Sequence, residues 1–158
     1  MIPRSTNLSR LSDTALQLEH SVEADVSPAF AWSFRIDVAN WNDPPAKFAP
    51  DGPFAAGSRG TTLLPGQAPL HWYIRDVQPG KPFIVEMQLD RASLSFEWRF
   101  DALSEHRTRL TQVIVLSGDN ASAYAVQVEA GFGSNLPDSM SRIAAEMAAA
   151  EEYARSTG

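Results

Sequence analysis

The chain has 158 residues, 44% of them hydrophobic, no cysteine, and a net charge of −6 from 13 Lys and Arg against 19 Asp and Glu. That length suits one domain with a core of its own. The scattered basic residues argue against nucleic acid or an anionic membrane as partner, since both need clustered Lys and Arg, and the lack of cysteine excludes disulfides, thiolate nucleophiles and Cys-ligated zinc.

Residues 1–13 are polar and without period, and they are expected to form a flexible arm ahead of a single domain over residues 14–158. They carry no apolar h-region, and no apolar run is long enough to span a bilayer, so a cytoplasmic location is expected. Residues 14–24, TALQLEHSVEA, alternate: Leu16, Leu18, His20, Val22 and Ala24 share one face of a strand. Ser27 and Pro28 then read as the N-cap and first residue of a helix. In that helix Phe30 and Phe34 are four apart, as are Trp32 and Ile36, so two adjoining sides are apolar. Asp37 to Asn42 suits a further short turn, and Pro44, Pro45, Pro50 and Pro53 predict a stiffened connection without regular structure.

From 57 to 117 the pattern is five strands separated by short turn-like segments, an antiparallel meander. In SLSFEWRFDAL, Leu94, Phe96, Trp98 and Phe100 face one way, and Ser95, Glu97 and Arg99 form a solvated face. In RTRLTQVIVLSG, Gln112 interrupts the apolar face of Leu110, Ile114 and Leu116. Residues 121–131 are compatible with a helix broken near Gly131, Gly133 and Pro137, and residues 138–155 with a long helix whose stripe is Met140, Ile143, Ala144, Met147 and Glu151. There is no internal repeat. A twisted sheet of about six strands around one such helix would leave an apolar gap near the short helices, of a size for a small ligand.

Several side chains have two readings. Trp32 and Trp41 either line a pocket mouth or fill the seam between short helices and sheet. Trp72 and Trp98 either stack on a flat ligand or pack on the C-terminal helix. Met87, Met140 and Met147 supply adaptable surface or ordinary core. His20 is a weak candidate for a general acid or base, or for orienting a ligand carbonyl; the alternative is a hydrogen-bonded core histidine. Gln112, costly to bury unpaired, is expected to have a partner, a water or an opening to a cavity. The three histidines lack metal-ligand spacing, so no metal and no cofactor is expected. Nucleophile-elbow and phosphate-loop motifs are absent; GFGSNL follows no buried strand.

The order of these elements, with particular residues, resembles the START-like (SRPBCC) superfamily. The likeness is carried by VEADVSPAFAWSF at 22–34, DVANWNDPP at 37–45, DVQPGKPFIVEM at 76–87, FEWRFDALSEHRTRLTQVIVLSG at 96–118, and GFGSNLPDSMSRIAAEMAAAEEY at 131–153. The family's usual Gly-Gly-Thr at the last hairpin is Glu105-His106-Arg107-Thr108 here. The resemblance implies an α+β helix-grip fold: an antiparallel sheet wrapped around a long C-terminal helix, with one or two short helices after the first strand. It also implies a bacterial polyketide cyclase/dehydrase or lipid-transport type of protein. The expected function is therefore binding of a lipid, polyketide or other hydrophobic or aromatic molecule between sheet and helix. Its ligand-binding candidates are His20, Trp32, Trp41, Trp72, Met87, Trp98, Gln112, Met140 and Met147. The alternatives are a cyclase or dehydratase using the same cavity, and a co-chaperone-like interaction module. A homodimer is compatible with each. No catalytic residue carries over from the family motifs.

Overall fold

The computed structural model describes residues 14–43 and 45–157; the arm expected over residues 1–13 lies outside them. The alternation of residues 14–24 becomes strand β1, Thr14–Ala24, whose even-numbered residues are the less exposed ones. The chain then turns at Val26, fully buried and tied by its carbonyl to the Thr108 hydroxyl at 2.9 Å. Helix α1, Pro28–Arg35, starts as its sequence dictates: the Ser27 hydroxyl accepts the Phe30 N–H at 3.2 Å, and Pro28 lacks the donor that this position would leave unpaired.

The far end of α1 is sealed by the next few residues of the chain. Asp37 accepts the Ala39 N–H and opens a single 3-10 turn, Val38–Asn40. That turn swings Trp41 and Asn40 back onto α1. The Trp41 indole donates to the Arg35 carbonyl at 2.8 Å, and the Asn40 amide to the Phe34 carbonyl at 3.0 Å. Two carbonyls that a helix end leaves orphaned are thereby satisfied.

The proline-rich stretch differs from expectation. It contains a strand, β2 Lys47–Pro50, paired antiparallel with β3 Arg59–Leu63, so the sheet has seven strands rather than about six. β2 is the last strand in the order and needs ladder bonds on one side only, which is where proline is tolerated. The remaining strands are β4 Leu70–Asp76, β5 Phe83–Leu89, β6 Ala92–Ser104 and β7 Arg107–Ser117. The order β1-β7-β6-β5-β4-β3-β2 is antiparallel throughout: a meander whose last strand returns to pair with the first.

After β7 the chain makes a 3-10 turn, a single α turn α2 (Ala125–Val128) and a π turn, and then enters α3, Leu136–Thr157. Pro137, expected near a break, instead sits in the first turn of α3, where a missing N–H costs nothing. α3 packs on β1 and α1 and buries Leu136, Met140, Ala144 and Met147 in the core shared with the sheet. These observations establish the α+β helix-grip architecture. On the outer face, Glu97 and Arg99 form a surface ion pair at 2.8 Å, as their spacing predicts.

Glu151 closes this arrangement. It lies on the buried stripe of α3 at 8% exposure, and its carboxylate accepts the Ser27 N–H at 3.2 Å and the Ser27 hydroxyl at 2.8 Å. The C-terminal helix thus holds the residue that starts α1. Glu151→Ala leaves that N–H without its acceptor and should cost about 1–3 kcal/mol. Chemical denaturation of the two proteins measures this; an unchanged midpoint would show that the clasp contributes nothing.

Candidate functional site

The register of the sheet places its polar exceptions in one row. On the inner face, His20 of β1 pairs with Gln112 of β7, Gln112 with Trp98 of β6, and Trp98 with Phe83 of β5. Trp98 and Phe83 are buried, whereas His20 and Gln112 are only half-buried. His20 and Gln112, each placed by alternation on the apolar face of its own strand, are direct neighbours.

Over Trp98 sits a residue that sequence patterning does not single out. The Arg35 guanidinium carbon lies 4.3 Å from the centroid of Trp98 and 5.2 Å from that of Trp41. Two indoles therefore cover it, each contact being worth about 0.5–2 kcal/mol. Arg35 Nε is buried and, among the described residues, has no hydrogen-bond partner. Among the described residues Arg35 forms no ion pair; Asp43 is 4.0 Å from Arg142 instead. Loss of hydration pushes the Arg35 pKa down to about 10, against the charge of Glu146, with Arg142 lowering it further and Asp43 raising it. The group is still a cation at neutral pH. The signal available in sequence is helical spacing: Arg35 follows Ala31, fully buried, by four residues and shares its face.

An aromatic cluster extends from this cation. Trp41 packs on Trp72 at 5.3 Å, edge-on to Phe48 at 5.5 Å and to Phe54 at 6.1 Å. Phe54 meets Phe83 at 5.1 Å, and Trp98 stacks with Phe100 at 6.4 Å. Trp72 is fixed by its own bond, donating to the Thr62 hydroxyl at 3.0 Å, and its ring lies across Gly60, its register partner. Met87 is half-buried beside Trp72, while Met140 and Met147 are fully buried on α3. Trp32 stands apart: its indole donates to the Lys81 carbonyl at 3.1 Å, tying α1 to the turn before β5.

Two surface clefts flank this core. The larger, about 440 Å³, lies between the 3-10 turn and β2, and its lining includes Val38, Phe48, Pro50 and Phe54. Phe48 and Phe54 thus face the cleft and also pack on Trp41, so one aromatic layer separates the cleft from Trp41, and Trp41 in turn covers Arg35. The smaller, about 270 Å³, lies between the end of β1 and α3 and includes Val22, Asp25, Ser141 and Ala144 in its lining. Neither cleft is lined by His20 or Gln112. Among the described residues no group of acidic or histidine side chains is disposed to hold a metal ion, and no helix is long and apolar enough to cross a membrane.

No protein-family model and no curated protein matches the chain in sequence. Solved structures match its fold. Norcoclaurine synthase from Thalictrum flavum, in complex with dopamine and hydroxybenzaldehyde, superposes with a TM-score of 0.65 at 12% identity, covering 86% of this chain and 88% of that one. The ZhuI aromatase/cyclase from Streptomyces sp. R1128 gives 0.65 at 19% identity, over 84% and 93%. A structural-genomics protein from Nitrosomonas europaea gives 0.66 at 13% identity, over 88% and 97%. At such identities the likeness speaks for the fold.

Proposed function

We propose that this chain, which has the helix-grip fold, binds a hydrophobic aromatic small molecule beside the Trp41–Arg35–Trp98 stack. The observation that carries the reading is a cation whose buried Nε has no partner among the described residues, placed among aromatic rings and separated from an open cleft by Trp41 and the Phe48–Phe54 layer. A cleft of about 440 Å³ is within the range of small-molecule sites. The apolar body of the ligand rests against Val38, Phe48 and Phe54 and reaches the stack when the two phenylalanine rings turn aside. Two structural neighbours support an aromatic ligand: one was solved with dopamine and hydroxybenzaldehyde, and one is an aromatase/cyclase.

Gln112 and His20 continue the same row beyond Trp98 and set orientation or polarity at its far end. Gln112→Leu is expected to keep the fold, because the residue is half-buried and, apart from His20, its inner-face neighbours Trp98, Leu110 and Ile114 are apolar, while changing ligand choice by severalfold in favour of apolar molecules. Fluorescence titration with phenylnaphthylamine, a neutral aromatic probe, measures both proteins. Unfolding of the variant would make Gln112 structural, and identical affinities would remove it from the site.

The aromatase/cyclase neighbour favours a second reading, an enzyme of the cyclase or dehydratase kind. A shaped site lowers the entropic cost of folding a flexible substrate, and one acid or base moves the proton. His20, in register with Gln112, is the residue proposed for that step. A pH–rate profile that vanishes in His20→Ala supports it; full activity in that variant eliminates it.

A further inference from the structure

We infer that the ligand of this site is an acid: an aromatic or apolar body carrying a planar oxyanion, a carboxylate above all, that binds the edge of the Arg35 guanidinium. This rests on the binding function proposed above. A guanidinium offers two kinds of surface, its π faces and its rim of N–H donors. Here two indoles lie against the group, with Trp98 at 4.3 Å and Trp41 at 5.2 Å. On the rim, among the described residues, Nε has no acceptor and no carboxylate forms an ion pair with Arg35. Glu146 acts on Arg35 through its charge without closing a pair, and Asp43 approaches Arg142.

A cation withdrawn in part from water, as half-buried Arg35 is, is ordinarily matched by an anion in contact, because desolvating it unpaired is costly. Contact with two indoles offsets part of that cost and restricts the motion of the group. A guanidinium so restricted presents the geometry that a carboxylate meets with parallel N–H···O bonds. Trp41 is itself held by its bond to the Arg35 carbonyl, so the helix end, the indole and the guanidinium form one preorganised unit. A neutral carbonyl would also accept a bond here, but a charged acceptor is favoured by about 10- to 100-fold.

The test uses a matched pair of probes, naphthoic acid and naphthamide, which share a ring system and a carbonyl and differ in charge. Calorimetric titration at neutral pH should show the acid binding the unaltered protein about tenfold or more tightly than the amide. In Arg35→Gln, which keeps donors but loses the charge, the ratio should fall to near one. Arg35→Lys, which keeps the charge but loses the planar fork, should give an intermediate ratio. Circular dichroism checks the fold; if Arg35→Gln does not fold, the ratio in the unaltered protein and in Arg35→Lys still decides. Equal affinities for acid and amide, or a preference that both variants retain, would overturn the inference and leave the binding function standing. Failure of both probes to bind would remove the binding function and the inference together.

Discussion

Trp98→Ala should destabilise the protein by about 3–5 kcal/mol, the cost of deleting a large aromatic side chain from a packed core. The residue is 2% exposed, lies between Gln112 and Phe83 in the sheet, and stacks with Phe100 at 6.4 Å. It also carries the Arg35 guanidinium at 4.3 Å, so truncation opens a void beneath a half-buried cation. Against the 5–15 kcal/mol typical of a domain of about this size, the variant stands close to unfolding at ambient temperature. Urea unfolding followed by far-ultraviolet circular dichroism measures the loss. A cost below about 1 kcal/mol would mean that the region around Trp98 is loosely filled, contrary to the packing described for it.

The second large effect is expected from one methyl group. A Cβ on Gly60 would fall 2.2 Å from Cη2 and from Cζ2 of the Trp72 ring. That ring cannot simply turn away, since its indole N–H is bonded to Thr62 and its body packs on Trp41. Gly60→Ala is therefore expected to cost about 1–3 kcal/mol, as overpacking does, and to disturb Trp41 along with Trp72. Gly131→Ala is the control: nothing lies within 4 Å of its added methyl group, and its backbone is not left-handed. That variant should be neutral or slightly stabilising. Equal behaviour of the two variants in thermal unfolding would refute the close fit of Trp72 over Gly60.

Much of the frame is legible along the chain because it rests on local periodicity. The strict alternation of β1 and β6 identifies their inner faces, and Ser27-Pro28 marks the start of α1 to the residue. Residues 27–45 carry aromatic surface because they close one end of the sheet: Trp32 ties α1 to Lys81, and Trp41 caps α1 and covers Arg35. The features that sequence does not reveal are non-local. β2 is hidden by Pro50 and the prolines on either side of it, and the missing donor of Pro50 matters only where a strand has two neighbours. Arg35 reads as an ordinary charged residue at a helix end, and its aromatic cover comes from Trp98, 63 positions along the chain, arriving over it. His20 and Gln112 stand out separately by polarity on apolar faces, and their adjacency requires the β1–β7 register. The candidate site is thus half visible: its aromatic residues can be named from sequence, whereas the cation at their centre is marked only by its helical spacing from Ala31.

Binding of an aromatic ligand at the Trp41–Arg35–Trp98 stack can be observed through the tryptophans themselves. Each of the four indole N–H groups yields its own signal in a proton–nitrogen correlation spectrum. Trp32, Trp41 and Trp72 donate to Lys81, Arg35 and Thr62 respectively, and substitution of each in turn assigns the signals. On titration with phenylnaphthylamine, the signals of Trp41 and Trp98 should move together with one dissociation constant, and that of Trp32 should stay in place. Saturation of the protein with the Trp41 and Trp98 signals unmoved would be incompatible with binding at the stack.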